Sequence, residues 1–464
     1  MQRTNQAANP RRFPIETLCF LLLIILHISA TRALSAPTLT ATNGFITQPI
    51  SLADAVNLAL TQNPNIRRAQ KDLEASEGVV IQTRAIAVPK LRITGDYDAK
   101  DKSNVDIIST NGFNLGSDQN WDAQVRLVQS LYEGGRIASS LRVAKLTREQ
   151  AMLNYQTAVA DTVLDVEIGY FDVLLAEQQI IVQEASVELL SRELADTNRR
   201  FDAGTVPRFN VLRAEVELAN AQPKLIRARN AFRIAKNNLA NLLGFNVPKE
   251  TFEDIPLKLS GKLVAEPYPI ELPRAIALAL EHRTELGSLR KAESLRKEDI
   301  VNAKAGYKPS LQAYAGYEGR NSILQPDLNT DLHGWIAGVQ LNWDLFDGGL
   351  AYGKIKQARA LHEKAEVELE DAGRRIELEV RTAFSNFREA DEVLKSQEKV
   401  VEEGEEALRL AKVRNEAGTA TQLDVLSAQT ALTEARTTQV QALHDYAVAR
   451  ARLERAVGAD MAAK

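Results

Sequence analysis

Histidines and paired glycines are the residues of this chain whose types could support metal, phosphate or acid-base chemistry. The four histidines after residue 35 are His282, His333, His362 and His444. None has the HxxxH or HExxH spacing that places two metal ligands on one helix face. We interpret each as a surface or helix-face residue, and we expect no metal site and no cofactor.

Two glycine pairs, Gly134-Gly135 and Gly348-Gly349, could be mistaken for phosphate-binding loops. Neither is followed by the Lys-Ser/Thr that contacts phosphate and its cation. Turning a strand into a helix explains both pairs. No nucleophile, base and orienting group appear together in a catalytic pattern, so the sequence predicts no enzyme.

Acidic residues slightly outnumber basic ones, with 61 Asp and Glu against 57 Lys and Arg. This balance gives no reason to expect a nucleic-acid partner. A denser acidic run covers Glu402, Glu403, Glu405 and Glu406. A solvated helix face is the simpler interpretation, and a ring of carboxylates lining a lumen is the alternative.

Residues 1–35 read as a cleaved signal peptide. Arg3, Arg11 and Arg12 precede an apolar run over 18–28, and small residues follow it. An anchor helix is disfavoured because a bilayer span needs ~20 apolar residues. A signal peptide predicts that the mature chain is exported. Since the single cysteine, Cys19, lies in this segment, we expect the mature chain to have no thiols.

The rest of the chain is written twice. Residues 121–244 match residues 335–458 at a constant shift of 214, and an upstream block beginning at Leu52 matches at a shift of 220. Such a long register without insertions is typical of packed helices rather than of loops. Matching residues include Trp121/Trp335, Gly134/Gly348, Gly204/Gly418, Val211/Val425, Leu239/Leu453 and Gly244/Gly458.

Each copy is predicted to hold a very long helix that turns back as a hairpin. Apolar residues keep one coiled-coil-like stripe along the first of these helices. Glycine just past a helix end favours a left-handed cap, which places the turns at Ala-Gly-Thr 203–205 and 417–419. Pro223 removes a backbone hydrogen bond and should kink the first return helix. Since its counterpart in the second copy is Thr437, we expect the two hairpins to bend differently.

The organisation that follows has two copies and a joining segment. The predicted boundaries are a signal peptide over 1–35, a first copy over 36–244, an irregular segment over 245–271, a second copy over 272–458 and a tail over 459–464. The long helices are predicted over 135–202 and 350–416, and the return helices over 207–243 and 421–456.

Four strands complete the prediction, at about 90–98, 121–129, 310–318 and 335–344. Apolar and polar residues alternate along each strand, which gives it one apolar face. A hairpin lying on a helical core would explain this pattern. Strand lengths near 9 to 11 residues and aromatics at strand ends favour membrane strands instead. The predicted membrane-interface aromatics are Tyr97, Trp121, Tyr317, Trp335 and Trp343.

Membrane strands would require several chains to share one barrel, because open sheet edges are not tolerated in lipid. Two chains would supply 8 strands, whose interior fills with side chains, and three would supply 12 and begin to leave a lumen. We favour three. The predicted fold class is mainly α with membrane β: long helical hairpins, four strands per chain in a shared 12-stranded barrel, and internal duplication.

Motifs at the element junctions add a resemblance. Leu-Tyr-Glu-Gly-Gly at 131–135 and Leu-Phe-Asp-Gly-Gly at 345–349 join strands to helices, and Ala-Gly-Thr-x5-Val-Leu-x-Ala recurs at 203–214 and 417–428. With the signal peptide and the repeated strand pairs, these motifs resemble the TolC-like outer-membrane factor family. The resemblance implies a homotrimer whose shared barrel lies in outer-membrane lipid and is continuous with a helical tunnel across the periplasm. The tunnel tip would dock on a periplasmic adaptor protein that serves an inner-membrane transporter.

Carried over to this chain, the resemblance assigns adaptor contact to the hairpin turns and a constriction to the residues beside them. The constriction positions are Asn210 and Asp424, and Ser427 stands where some members have a further acid. The adaptor-contact residues are Ala203, Gly204, Thr205, Val206, Ala417, Gly418, Thr419 and Ala420. Asp424 has a second interpretation, as an acid that stabilises the start of a helix.

The function implied is a passive export duct, the outer-membrane channel-tunnel of a tripartite efflux pump or a type I secretion system. Its periplasmic tip would open when hairpins shift against each other. A trimeric coiled-coil adhesin or periplasmic spacer without a pore is the alternative. It would not explain strands that have one apolar and one polar face.

Overall fold

A computed structural model describes residues 49–101, 103, 105, 108–110, 113–115, 117–245, 255–321 and 331–458. The predicted signal peptide, the tail over 459–464 and part of the joining segment lie outside the described residues. The first copy contains α1 (Leu52–Gln62), α2 (Pro64–Arg84), β1 (Lys90–Ala99), β2 (Ile108–Thr110), β3 (Phe113–Leu115), β4 (Gln119–Glu133), α3 (Arg136–Asp202) and α4 (Arg208–Leu242). The second contains α5 (Leu272–His282), α6 (Thr284–Lys304), β5 (Ser310–Asn321), β6 (Asp331–Asn342), α7 (Leu350–Glu416) and α8 (Gln422–Val457).

The duplication is visible in the helix boundaries. Both α3 and α7 have 67 residues, and both follow a glycine with positive φ, Gly135 at 102° and Gly349 at 88°. At 1.5 Å per residue each helix is about 100 Å long. The mainly helical fold with internal duplication is therefore confirmed. Pro223 lies inside α4 without ending it, and the expected kink stays a prediction.

Four strands form one antiparallel sheet in the order β1-β4-β5-β6. The strands are longer than side-chain alternation predicts. For example, β5 continues to Asn321 and β6 begins at Asp331, where these two residues pair. Backbone pairing between strands fixes their ends, and the sequence pattern of one strand does not report it. The first loop also carries a small hairpin of β2 and β3, which the sequence analysis did not predict.

The register aligns the apolar residues of all four strands on one face. Leu91 pairs with Leu127, and Leu311 pairs with Leu341. Several large apolar side chains on this face are exposed in the single chain: Leu91, Ile93, Val125, Leu127, Val339 and Leu341. The opposite face is polar and places like charges opposite each other, Arg92 against Arg126 and Asp96 against Asp122. Such pairs are destabilising unless water screens them.

The long helices pack as hairpins, α3 with α4 and α7 with α8, and α3 also packs along α8. Two apolar clusters lie where the shorter helices and the joining segment cover the long ones. In the first cluster, the Tyr170 hydroxyl donates to Ile50 O at 3.0 Å and accepts from Gly261 N at 3.0 Å. In the second, the Tyr446 hydroxyl donates to Glu266 O at 2.7 Å. Within the described part of the chain, no helix combines the length and apolar character needed to cross a membrane.

Candidate functional site: the two hairpin turns and the sheet aromatics

The first hairpin turn is closed by a complete Schellman motif. Gly204 has φ 74° and its N–H donates to Phe201 O at 2.8 Å, while Thr205 N–H donates to Arg200 O at 2.9 Å. The Thr205 hydroxyl donates to the same carbonyl at 2.8 Å. These bonds satisfy carbonyls that the end of α3 would otherwise leave unpaired.

The second turn repeats this geometry. Gly418 has φ 73°, and its N–H donates to Asn415 O at 3.0 Å. Both Thr419 N and its hydroxyl donate to Arg414 O, at 2.8 and 3.1 Å. Ala203, Thr205, Ala417 and Thr419 are exposed, and Val206 and Ala420 are half-buried. The two turns therefore present small, exposed and similarly shaped surfaces.

The helices that leave the turns start differently. Thr421 and Asp424 form a capping box at the start of α8: Asp424 Oδ2 accepts from Thr421 N at 2.7 Å, and the Thr421 hydroxyl accepts from Asp424 N at 3.3 Å. Hydrogen bonds from the backbone and then the side chain of Thr421 lower the pKa of Asp424. At the start of α4 the corresponding positions are Pro207 and Asn210, and no side chain in the described part of the chain caps the helix. Asp424 thus has a local structural role, whereas Asn210 is a half-buried residue without that role.

Side chains also connect the two hairpins near their turns. Arg200 Nη1 donates to Asn415 Oδ1 at 3.3 Å, which joins the ends of α3 and α7. The Gln422 amide at the start of α8 contacts the Thr197 hydroxyl on α3. Beneath these contacts Leu426 is buried against Leu190. The turns therefore belong to one packed end of the molecule.

The acidic run before the second turn is exposed. Glu405 pairs with Arg436 of α8 at 2.8 Å, and Glu406 pairs with Arg409 at 2.7 Å. The hydrogen bond from Arg409 lowers the pKa of Glu406. Ion pairs on one exposed helix face favour the solvated interpretation for these two residues in the single chain.

The sheet arranges four of the predicted aromatics as two directly opposed pairs. Tyr97 pairs directly with Trp121, and Tyr317 pairs with Trp335, at the end of the sheet remote from the long helices. Trp343 lies one residue beyond β6, and its Nε1 donates to Tyr307 O at 3.3 Å. The sequence reveals each aromatic but not these pairings, because the register between strands is not encoded in one strand.

Two histidines have carboxylate partners that the sequence analysis missed. His444, which is nearly buried, contacts Asp172 on α3 at 2.8 Å and Asp445 at 3.0 Å. His362 on α7 contacts Glu293 on α6 at 2.6 Å. Asp172 is 272 residues before His444, so spacing gave no signal. His362 also has Glu366 four residues further along the same helix, and this spacing was the one local signal that His362 has acidic neighbours.

Long paired helices joined to a sheet with one apolar and one polar face define a class of protein, the outer-membrane channels. A sequence profile described as "Outer membrane efflux protein" matches residues 55–245 and 275–459. The chain belongs to this family. It is therefore an outer-membrane channel protein for efflux or secretion, and the family consists of channels rather than enzymes.

Individual relatives are distant but match most of their length. Outer membrane protein TolC of Escherichia coli K12 is 24% identical over 428 residues, covering 88% of this chain and 83% of that protein. Alkaline protease secretion protein AprF of Pseudomonas aeruginosa is 26% identical over 411 residues, covering 87% and 83%. The crystal structure of the Campylobacter jejuni CmeC outer membrane channel has the same fold, with a TM-score of 0.74 at 18% identity over 88% of this chain and 85% of that one.

Proposed function

We propose that three copies of this chain form one export duct, with a shared 12-stranded barrel in the outer membrane and a helical tunnel whose tip docks on a periplasmic adaptor. The adaptor would connect the duct to an inner-membrane transporter of an efflux pump or a type I secretion system. The observation that carries this proposal is that each copy of the repeat leaves exposed a helix face whose counterpart in the other copy is covered.

The return helices show this difference most directly. Leu426 and Val448 of α8 are buried at 4% and 7% exposure. Their counterparts on α4, at the same positions of the repeat, are Leu212 and Ile234, which are 48% and 51% exposed. Leu426 is covered by α3. The partner that α4 lacks is thus an equivalent of α3, and α7 of another chain supplies one.

Helix α7 has a matching free face. Its Leu378 is 64% exposed, whereas the counterpart Leu164 on α3 is half-buried. Packing α4 of one chain on α7 of the next repeats the α3–α8 contact between chains and closes a ring of identical interfaces. The sheet supports the same closure, because β1 and β6 are edge strands of the described sheet and open edges are not tolerated in lipid.

The sheet also has membrane dimensions. Trp335 and Trp343 are eight residues apart, which is about 27 Å along the chain at ~3.4 Å per residue and roughly 20 Å of height once a strand tilt of about 40° is included. The apolar band of an outer-membrane barrel is about 25 Å tall and has aromatics at both borders. We assign Tyr97, Trp121, Tyr317 and Trp335 to one border and Trp343 to the other.

At the other end of the molecule, we assign adaptor contact to the two exposed turns, 203–206 and 417–420. Their small residues leave backbone accessible and allow close approach of the adaptor. Asn210 and Asp424 lie one turn of helix further in, and we assign them to the constriction. The capping role of Asp424 is compatible with this, because its carboxylate is exposed.

A cysteine cross-link tests the ring. Asp172 and His444 are in contact within the chain, and their counterparts at the same repeat positions are Asn386 and Asn230, both exposed. In the mature chain, Asn230→Cys with Asn386→Cys should therefore form disulfides between chains. We expect a covalent ladder that ends at three chains on non-reducing gels.

The matched control is Asp172→Cys with His444→Cys, which should cross-link within one chain and leave its mass unchanged. A ladder ending at two chains, or no cross-link between chains, would contradict the ring.

Conductance in a planar bilayer separates a duct from a spacer. A definite single-channel conductance by the purified oligomer supports the duct. If neither the oligomer nor variants substituted at the turns 203–206 and 417–420 conduct, the result supports the adhesin or spacer.

A further inference from the structure

Three potential metal ligands from two helices meet near the sheet end of the second copy. Glu293 comes from α6, and His362 and Glu366 come from successive turns of α7. One ligand atom from each lies within 4.8 Å of the other two. His362 Nε2 is 2.6 Å from Glu293 Oε1, and His362 Nδ1 is 3.8 Å from Glu366 Oε1.

The surroundings of the cluster favour a cation. The side chains of His362 and Glu293 are only 17% and 22% exposed, so water screens them poorly. Among the described residues, both carboxylates pair with His362 and with no lysine or arginine. Two carboxylates therefore share one imidazole, which is formally neutral unless it is protonated.

The cluster exists in one copy only. The counterparts of Glu293, His362 and Glu366 in the first copy are Leu73, Arg148 and Met152. The helices that carry them pack in the same way, α2 on α3 and α6 on α7. The packing of these helices therefore does not require metal-ligating residues, since the first copy has a leucine, an arginine and a methionine at the same positions. The second copy nevertheless places three potential ligands there.

We infer that Glu293, His362 and Glu366 bind a divalent transition-metal ion of the zinc type. An imidazole with carboxylates is a ligand set of zinc, with metal–ligand distances of about 2.0 to 2.2 Å. Calcium and magnesium prefer sites made wholly of oxygen. Glu366 is 56% exposed and is free to turn toward the other two ligands. One coordination position stays open to water.

Bound metal would join α6 to α7 about 13 residues into the long helix, or ~20 Å from its start at the sheet. The ion would act as a cross-link beside the membrane end of the tunnel wall. This role differs from cargo transport, since the ligands are contributed by the packed interface between two helices. Its test needs no transport measurement.

The test is zinc titration of the purified full mature protein in detergent, in competition with a chromophoric chelator. Cobalt in place of zinc gives a second readout, the visible absorption of a tetrahedral site. We expect one ion per chain, a zinc-dependent rise in the thermal unfolding midpoint and a tetrahedral cobalt spectrum. His362→Gln and Glu366→Gln should weaken binding by more than about tenfold, since loss of outer-sphere partners alone costs 10- to 100-fold.

Two matched controls separate a site from surface charge. Arg148→Gln alters the equivalent position of the first copy, and His444→Gln removes the other histidine that lies between two carboxylates. Both should retain the bound ion and the cobalt spectrum. Absence of stoichiometric binding, or binding unchanged in His362→Gln, would overturn the site and leave the cluster as a histidine–carboxylate ion pair. If His362→Gln or Glu366→Gln alters the helical circular dichroism, Glu293→Gln takes its place. Weaker zinc binding by Glu293→Gln supports the site, and unchanged binding overturns it.

Discussion

Asn63 in the first copy and Arg283 in the second occupy the same repeat position. Both donate a hydrogen bond to the end of a return helix, one from a neutral side chain and the other from a charged one. Both are buried at the break between two short helices. Asn63 Nδ2 donates to Leu242 O at 2.6 Å, and Arg283 Nη1 donates to Ala456 O at 3.2 Å. These two carbonyls are also equivalent positions, so each side chain ties the short helices to the end of its return helix.

The difference lies in what else the side chain must satisfy. Asn63 is neutral, and its Oδ1 accepts from Asn65 N at 2.7 Å. Arg283 is charged and also contacts Glu285 and Glu379, each at 3.0 Å. A buried charge is tolerated only with such partners. We call these two links the Asn63 lock and the Arg283, or ionic, lock. The same backbone arrangement therefore accepts a neutral or a charged side chain at this position, and the charged one needs more hydrogen-bonding neighbours.

The largest effect should come from breaking the ionic lock. Arg283→Ala removes the link to Glu285 and Glu379 and the hydrogen bond to Ala456 O. We expect a loss of about 3 kcal/mol in the free energy of unfolding, the low end for a broken buried pair, because Glu379 is half exposed. Asn63→Ala should cost about 2 kcal/mol, because it leaves one buried carbonyl unpaired. Denaturant unfolding followed by circular dichroism measures both. A greater loss in Asn63→Ala would reverse our ranking of the two locks.

The hairpin turns, by contrast, should respond alike in both copies. No atom of the described residues lies within 4 Å of a Cβ built on Gly204 or Gly418, so a substitution there meets only backbone strain. Valine should cost about 1 to 2 kcal/mol at either turn, since it disfavours positive φ. Asparagine, which tolerates this conformation, is the matched control. Export complementation should fall with valine and persist with asparagine; equal export by all four variants would refute the cap assignment.

A smaller effect should distinguish the helix starts. Thr421→Ala removes the capping box of α8 and should cost about 1 kcal/mol of local stability. Hydrogen exchange of the first turn of α8 would detect it as faster exchange. Pro207→Thr with Asn210→Asp should build the missing box on α4 and slow exchange there. No change in either helix would mean that packing alone fixes both starts.

The smallest effect concerns pH and the contact between α3 and α8. Burial disfavours the charged form of His444, but hydrogen bonds to Asp172 and Asp445 outweigh it and raise its pKa above 6.5. A raised pKa adds stability that is present below 6.5 and is lost as pH rises through the folded-state pKa. His444→Asn, which copies Asn230, should remove this dependence. Thermal midpoints at mildly acidic and alkaline pH test it; an equal pH dependence in the variant would assign the effect to other groups.

Much of this architecture follows from local signals in the sequence. Glycine pairs at strand-to-helix junctions, Ala-Gly-Thr at the turns and a register without insertions predict helices that begin and end within a few residues of those observed. Strand faces were also predictable from alternation. Strand ends were not, since β5 and β6 extend until their backbones stop pairing. The assignments of the turns, of Asn210 and Asp424, and of the five aromatics stay predictions.

The duplication can be read directly from the sequence. The helix lengths, the turn residues and the apolar face of each strand can also be predicted from it, because they depend on residues close together in the chain. The sheet order, the α3–α8 contact, the Asn63 and Arg283 locks and the meeting of Glu293 with His362 are visible only in the folded chain. Each of these joins residues separated by tens to hundreds of positions, for example 179 between Asn63 and Leu242. No local propensity reports such a contact, because the side chain's partner is set by how the helices pack.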